Sequence, residues 1–211
     1  MTAGLGGGKT QGPVSGLRTE KAPGPTEPRR DASTPDPIPA RPALVRPATH
    51  ADIDELIRLR AHLLEDAASA GLPYAATSAA ERSAWRARYR AWLGERLGRD
   101  SAVRVAVVPG PQRLRACATA VIDQRAPSPA CPGGLAGWIQ SVVTDPRDRG
   151  QGLGAAVLDD LTAWLASRGV DEVVLQTTTA AHGFYRRAGF LPTGEDLLHK
   201  PLRPHKEATP A

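Results

Sequence analysis

From residue 43 onward the chain moves between helical and strand-like spacing of its apolar residues, and before that point it shows neither. Ala43-Leu-Val-Arg46 reads as a short strand. Thr49 to Asp52 then offers capping side chains, and Ile53, Leu56, Ile57, Leu59, Leu63 and Leu64 recur at the spacing of a first helix. Thr77 or Ser78 can cap a second helix, Ala79 to Leu97, whose Trp85, Tyr89, Trp92, Leu93 and Leu97 form one stripe that reads as core. Between the two helices Gly71-Leu-Pro-Tyr74 has turn chemistry, and Tyr74 is either a wall of a substrate cleft or a plug in the core. Val103 to Val108 and Leu114 to Ile122, parted by Pro109-Gly-Pro-Gln-Arg113, predict an antiparallel hairpin. A loop over 126–134 leads to a third strand, Leu135 to Thr144. A long helix begins near Gln151, turns Leu153, Val157, Leu161, Trp164 and Leu165 inward, and stops at Arg168-Gly169. Val173 to Gln176 predicts a short buried strand. Thr178 or Thr179 can cap a helix through Arg187, and Phe190-Leu191 opens a final strand pair toward Leu198. Helices interleaved with strands in this order predict an α+β, layered α/β fold.

The first 42 residues contain 15 Gly or Pro, no aromatic residue, and only Met1, Leu5, Val14, Leu17 and Ile38 as larger apolar side chains. Such a segment buries too little to offset its ordering entropy, so disorder is expected, with Thr34 to Pro42 as a stiff Pro-rich linker. The tail over 204–211 is expected to be unstructured as well, which leaves 43–203 as one domain. Deleting residues 1–42 should therefore cost less than about 1 kcal/mol, a Tm shift of no more than about 4 °C; a larger drop in a thermal melt contradicts the division.

Charge alters the picture only modestly. Lys and Arg number 27 against 22 Asp and Glu, giving a formal charge of +5 and a pI near 9.7, so the surface attracts anions such as nucleic acid, anionic lipid or a phosphorylated small molecule. The arginines gather in Glu81 to Arg99 and at Arg147 and Arg149, without forming one basic block. Binding to nucleic acid would rest on net charge and the Arg-rich helix alone, and no nucleic-acid partner is expected. No run approaches 18 apolar residues, and the N-terminus lacks the pattern of a secretory signal, so no membrane contact and a cytoplasmic location are expected. Cys117 and Cys131 have no metal-ligand spacing and make no disulfide framework, and no metal is expected. Cys117 reads as a small strand side chain rather than a nucleophile.

Two phosphate-binding patterns need weighing before the chemistry can be placed. Ala3 to Thr10, AGLGGGKT, resembles a P-loop, but Ala3 replaces the first glycine and neither a strand nor a helix flanks it. The informative segment is Val142 to Gly154, which runs from strand through a glycine-rich turn into an amphipathic helix. Gly150, Gly152 and Gly154 remove Cβ atoms where main chain must approach a ligand, and the first N–H groups of the helix have no intrahelical acceptors. Arg147 and Arg149 add positive potential. A dinucleotide-binding Rossmann unit also fits the Gly150, Gly152 and Ala155 spacing. It is disfavoured because Asp171 and Glu172 precede their strand instead of following it, and because an antiparallel hairpin comes first.

Val143-Thr-Asp-Pro-Arg-Asp-Arg-Gly-Gln-Gly-Leu-Gly154, followed by Phe184-Tyr-Arg-Arg-Ala-Gly-Phe190, closely resembles the GNAT acetyltransferase superfamily. The match covers everything except the two tails. The resemblance implies a mixed central sheet with helices on both faces and a splay between the strands near 135–144 and 173–176. It implies transfer of the acetyl group of acetyl-CoA to a primary amine, most simply that of a small molecule, with a protein amine as the other acceptor class and a homodimer left open. Main chain of Arg149, Gly150, Gln151, Gly152, Leu153 and Gly154 would then cradle the CoA pyrophosphate. Main chain of the strand end Val142, Val143 and Thr144, through Val142 and Thr144, would pair with pantetheine. Tyr185 would protonate or hydrogen-bond the departing thiolate, since a phenol of pKa about 10 suits a thiolate of pKa about 8.5.

The sequence departs from the family twice. Thr178 stands where many members have an asparagine that contacts pantetheine. The stretch Trp138-Ile-Gln-Ser141 holds no carboxylate to deprotonate the amine, and the candidates for that task are Asp123, Glu65, Asp66, His182 or a water chain held by Gln140 and Ser141. The missing carboxylate motivates a second reading, a CoA-binding sensor or scaffold without turnover.

Overall fold

The structure is a computed structural model that describes residues 44–65, 72, 74–194, 197, 198, 200 and 202. The chain divides into Met1–Pro39 and Ala40–Ala211, and every described residue lies in the second unit. The P-loop-like run, both tails, Asp66, Gly71 and Pro73 fall outside the described residues.

Five strands form one sheet in chain order: β1 (Arg46–Pro47), β2 (Val103–Pro109), β3 (Leu114–Gln124), β4 (Leu135–Thr144) and β5 (Glu172–Leu175). The first four pair antiparallel, and β5 joins β4 in parallel after the crossover helix α3 (Leu153–Ser167). Before the β2–β3 hairpin come α1 (Ile53–Leu64) and α2 (Ala79–Arg96); after β5 comes α4 (His182–Arg187). Ser78 begins α2 with a reciprocal box: its hydroxyl accepts from Glu81 N–H, and the Glu81 carboxylate accepts from the Ser78 N–H.

Strand alternation sorts the side chains into two cores. Ala106, Val108, Ala116, Ala118, Ala120 and Ile139 face Leu153, Val157, Leu158, Leu161 and Leu165 of α3. Val105, Val107, Cys117 and Val143 face Leu56 and Leu59 of α1 with Leu93 and Leu97 of α2. Ile139 and Val143 lie an even number of residues apart yet face opposite sides. A one-residue bulge between them resets the phase: Cys117 pairs with Val143 but Thr119 with Gln140, and Ser141 takes φ +56.

Four sequence expectations need correction. The first strand is Arg46–Pro47 rather than Ala43 to Arg46, because Val45 turns into the α3-side core instead of pairing. The strand at Glu172–Leu175 is half-buried, since it closes the sheet as an edge. No final strand pair forms among the described residues after Gly189; Leu191 and Leu198 are 77% and 90% exposed, so neither packs as a strand on the sheet would require. The stripe of α2 is fully buried only at Leu93 and Leu97; Tyr89 and Trp92 pack against that core half-buried, Trp85 lies outside it, and guanidinium groups of Arg86, Arg60 and Arg96 stand over the rings of Trp85, Tyr89 and Trp92.

Candidate active site

The glycine turn sits where β4 ends and α3 begins. Gly150 and Gly152 take φ +78 and +76, a region where any Cβ is strained, and a Cβ added at either meets no protein atom within 4 Å. Those positive angles delay α3 to Leu153, two residues after the helix start expected near Gln151. Gly154 has a different reason to be glycine, because its Cβ would lie 3.4 Å from both a Phe184 ring carbon and the Thr144 hydroxyl. The first intrahelical bond runs from Ala156 N–H to Gly152 O at 3.0 Å, and no side chain caps the helix. Among the described residues the N–H groups of Leu153, Gly154 and Ala155 have no acceptor. This is a cradle for an anion with oxygens to share, such as a pyrophosphate.

An arginine–carboxylate ladder fixes the turn from beneath. Asp145, 1% exposed, accepts from Arg58 Nη1 at 2.7 Å and from the Arg147 N–H at 3.1 Å, and lies 3.2 Å from Arg113. Asp148 accepts from Arg113 Nη1 at 2.6 Å and Arg115 Nε at 3.0 Å, and Arg115 also donates to the Gln151 side chain. Burial pushes the Asp145 carboxyl up, but donors from Arg147 and Arg58 and the charge of Arg113 outweigh it and hold it well below the usual carboxylate range. Arg113 donating to Asp148 lowers that group too. Arg147 and Arg149 alternate with Asp148 and follow Asp145, and both carboxylates find arginine partners on distant elements, which the local sequence does not reveal.

A pH dependence follows. Asp145, Asp148 and Asp52, the last held at about 2 chiefly by Arg46, all have folded pKa values below their unfolded ones. Their stabilisation is complete above about pH 5 and is lost as pH falls through 2, so Tm should drop steeply over that window. Asp145→Asn should cost about 2–3 kcal/mol at pH 7 and flatten part of that acid slope, a result that thermal melts across pH can contradict.

β5 accompanies β4 only briefly. Ala136, Gly137, Trp138 and Ile139 pair with Glu172, Val173, Val174 and Leu175, and beyond Ile139 and Leu175 the strands part. Gln140 to Thr144 therefore leave a notch on the β5 side, with the bulge at Ser141 on its β4 wall. Val142 and Thr144 are half-buried there, and Val143 is buried toward α1 and α2. Tyr185, half-buried on α4, stacks edge-on with Phe184 and Phe190 at 4.9 and 6.0 Å between centroids. Burial, and secondarily Tyr74, raises its phenol above the ordinary value, so the group is protonated at neutral pH. Tyr74 is 46% exposed, which excludes the core plug. Thr178 precedes a 3-10 turn, Thr179–Ala181, in a cap-like extended conformation, but its hydroxyl makes no cap bond. Thr179 lies inside that turn, so the expected threonine cap of α4 is not made.

The structure separates the candidate bases. Asp123 is exposed, paired with Arg125 at 3.1 Å, and opposite Ala136, away from the parted end of β4. Glu65 accepts from Trp85 Nε1 and twice from Arg86, and Arg86 first among these lowers its pKa, so it is a poor proton acceptor. His182 is exposed at the start of α4. Gln140 and Ser141 lie on the notch itself. Burial pushes the Cys117 thiol up to about 12, which leaves it no thiolate to act as a nucleophile. Among the described residues no cluster of His, Cys, Asp or Glu suits a metal, and no helix is long and apolar enough to cross a membrane.

Comparison with known proteins agrees with this geometry. The model of the acetyltransferase (GNAT) family matches residues 61–190. Glucosamine 6-phosphate N-acetyltransferase 1 of Oryza sativa subsp. japonica is 36% identical over 108 residues, which are 51% of this chain and 62% of that protein. Glucosamine 6-phosphate N-acetyltransferase of Trypanosoma brucei brucei is 40% identical over 58 residues, 28% of this chain and 40% of that protein. The chain thus spans less than two thirds of these curated relatives. A GCN5-related N-acetyltransferase from Ralstonia eutropha JMP134 superposes with a TM-score of 0.62 at 27% identity, over 75% of this chain and 97% of that one.

Proposed function

The chain belongs to the GNAT acetyltransferase family, and on that premise we propose that it moves the acetyl group of acetyl-CoA directly onto a primary amine of a small molecule. One observation carries this reading: three unsatisfied N–H groups at Leu153, Gly154 and Ala155 open the helix that follows β4, whose last five residues β5 leaves unpaired. The curated relatives, named for an amino-sugar phosphate, favour a small-molecule acceptor over a protein one.

Arg149 to Gly154 hold the pyrophosphate. Main chain of Val142 and Thr144 receives pantetheine along the unpaired edge of β4, with the Thr178 hydroxyl as a further contact. The thioester then lies in the notch, near Tyr185. The amine nitrogen forms its bond to the acetyl carbon as the carbon–sulfur bond breaks. The departing thiolate takes the Tyr185 proton, and the proton shed by the amine leaves through water at Gln140 and Ser141. Asp123 and Glu65 take no part.

A thiol-release assay over a panel of amines tests this. Acceptor-dependent release of CoA, with a matching mass increase of the acceptor, is expected. Saturable binding of acetyl-CoA with no release for any amine would instead identify a sensor.

A further inference from the structure

Most half-buried arginines at the edges of the core meet a carboxylate. Arg58 pairs with Glu55 and Asp145, Arg104 with Asp160, and Arg113 and Arg115 with Asp148. Arg60 does not. Among the described residues it makes no ion pair, although it is half-buried on α1. Its Nη1 donates to Ser141 Oγ at 2.5 Å, and its guanidinium carbon stands 4.5 Å above the Tyr89 ring. Removing a guanidinium from water without a counter-ion is unfavourable, and a bound anion would offset that loss.

The position gives this cation a purpose. Ser141 is the positive-φ residue of the bulge, on the stretch of β4 that β5 leaves free, so the Arg60 fork shares a wall with the notch. Strained non-glycine backbone of this kind persists where neighbours hold it, and Arg60, itself seated over the Tyr89 ring, bonds it from the α1 side. We infer that the acceptor is a primary amine carrying a second, anionic group, and that Arg60 receives this group at the mouth of the notch. The inference rests on the notch being the acetyl-transfer site. The planar fork matches the oxygens of either a phosphate or a carboxylate.

Matched acceptors test it: glucosamine 6-phosphate against glucosamine, and β-alanine against its carboxamide, each with acetyl-CoA and the full chain. In at least one pair the anionic member should have a KM lower by roughly ten- to a hundredfold, with kcat changed little. The pair that shows the difference tells phosphate from carboxylate. Arg60→Gln should raise KM for the anionic member alone, and Arg60→Lys should recover part of the loss. Arg88→Gln, on the exposed face of α2, should alter neither member. Should the Arg60 variants fail to fold, the wild-type protein still decides: inorganic phosphate or acetate should inhibit competitively against the neutral amine. Equal KM values within both pairs overturn the inference and leave acetyl transfer standing, as does a preference that survives Arg60→Gln. No transfer to any member, together with no saturable acetyl-CoA binding in calorimetry, overturns the underlying reading as well.

Discussion

Tyr185→Phe should lower kcat by about a hundredfold or more while acetyl-CoA affinity moves by less than about twofold. The variant keeps the ring that stacks edge-on with Phe184 and Phe190, so packing on α4 survives. It loses one oxygen and one proton. A phenol holds that proton at neutral pH even at its ordinary pKa, and the hydroxyl makes no hydrogen bond among the described residues, so it is free to donate. A thiolate leaves poorly without a donor, and the rate of the chemical step carries the loss. An unchanged kcat with a good acceptor would reduce Tyr185 to a packing residue.

Gly152→Val should weaken acetyl-CoA binding by at least about a hundredfold and leave the far-UV dichroism unchanged. At φ +76 a side chain costs about 1–2 kcal/mol, more for a β-branched one, so the turn shifts. The new Cβ meets no protein atom within 4 Å, which spares the fold. On the proposed reading it would meet the pyrophosphate, in front of N–H groups that each contribute roughly 1.5–3 kcal/mol to a charged acceptor. Gly154→Ala differs in kind, because its Cβ would come within 3.4 Å of Phe184 and Thr144 instead of entering open space. Undiminished affinity of Gly152→Val in calorimetry would contradict the cradle.

Local pattern made much of this molecule readable. The spacing of Leu153, Val157, Leu161 and Leu165 located α3 and its buried face, a capping residue at Thr77 or Ser78 marked the start of α2, and the glycines marked the turn. What escaped depends on contacts between distant residues. Nothing in Gln140-Ser141 marks a bulge, since no glycine supplies the positive φ; the strand is held there by Arg60 from α1. Asp145 and Asp148 look like solvated loop acids until Arg58, Arg113 and Arg115 arrive from α1 and the β2–β3 hairpin. β5 has the apolar run of a buried strand, yet its place at the sheet edge leaves it half-covered. That Tyr74 is no core plug shows only in its exposure.

Amide chemical shifts followed by nuclear magnetic resonance during titration with CoA bear most directly on the central idea. Saturable changes should be largest at the N–H groups of 150–155 and next at 142–144, with 123–125 at the far end of the hairpin unmoved. Saturable binding that leaves the amides of 150–155 undisturbed would mean that the anion lodges elsewhere, and the account of this site would be wrong.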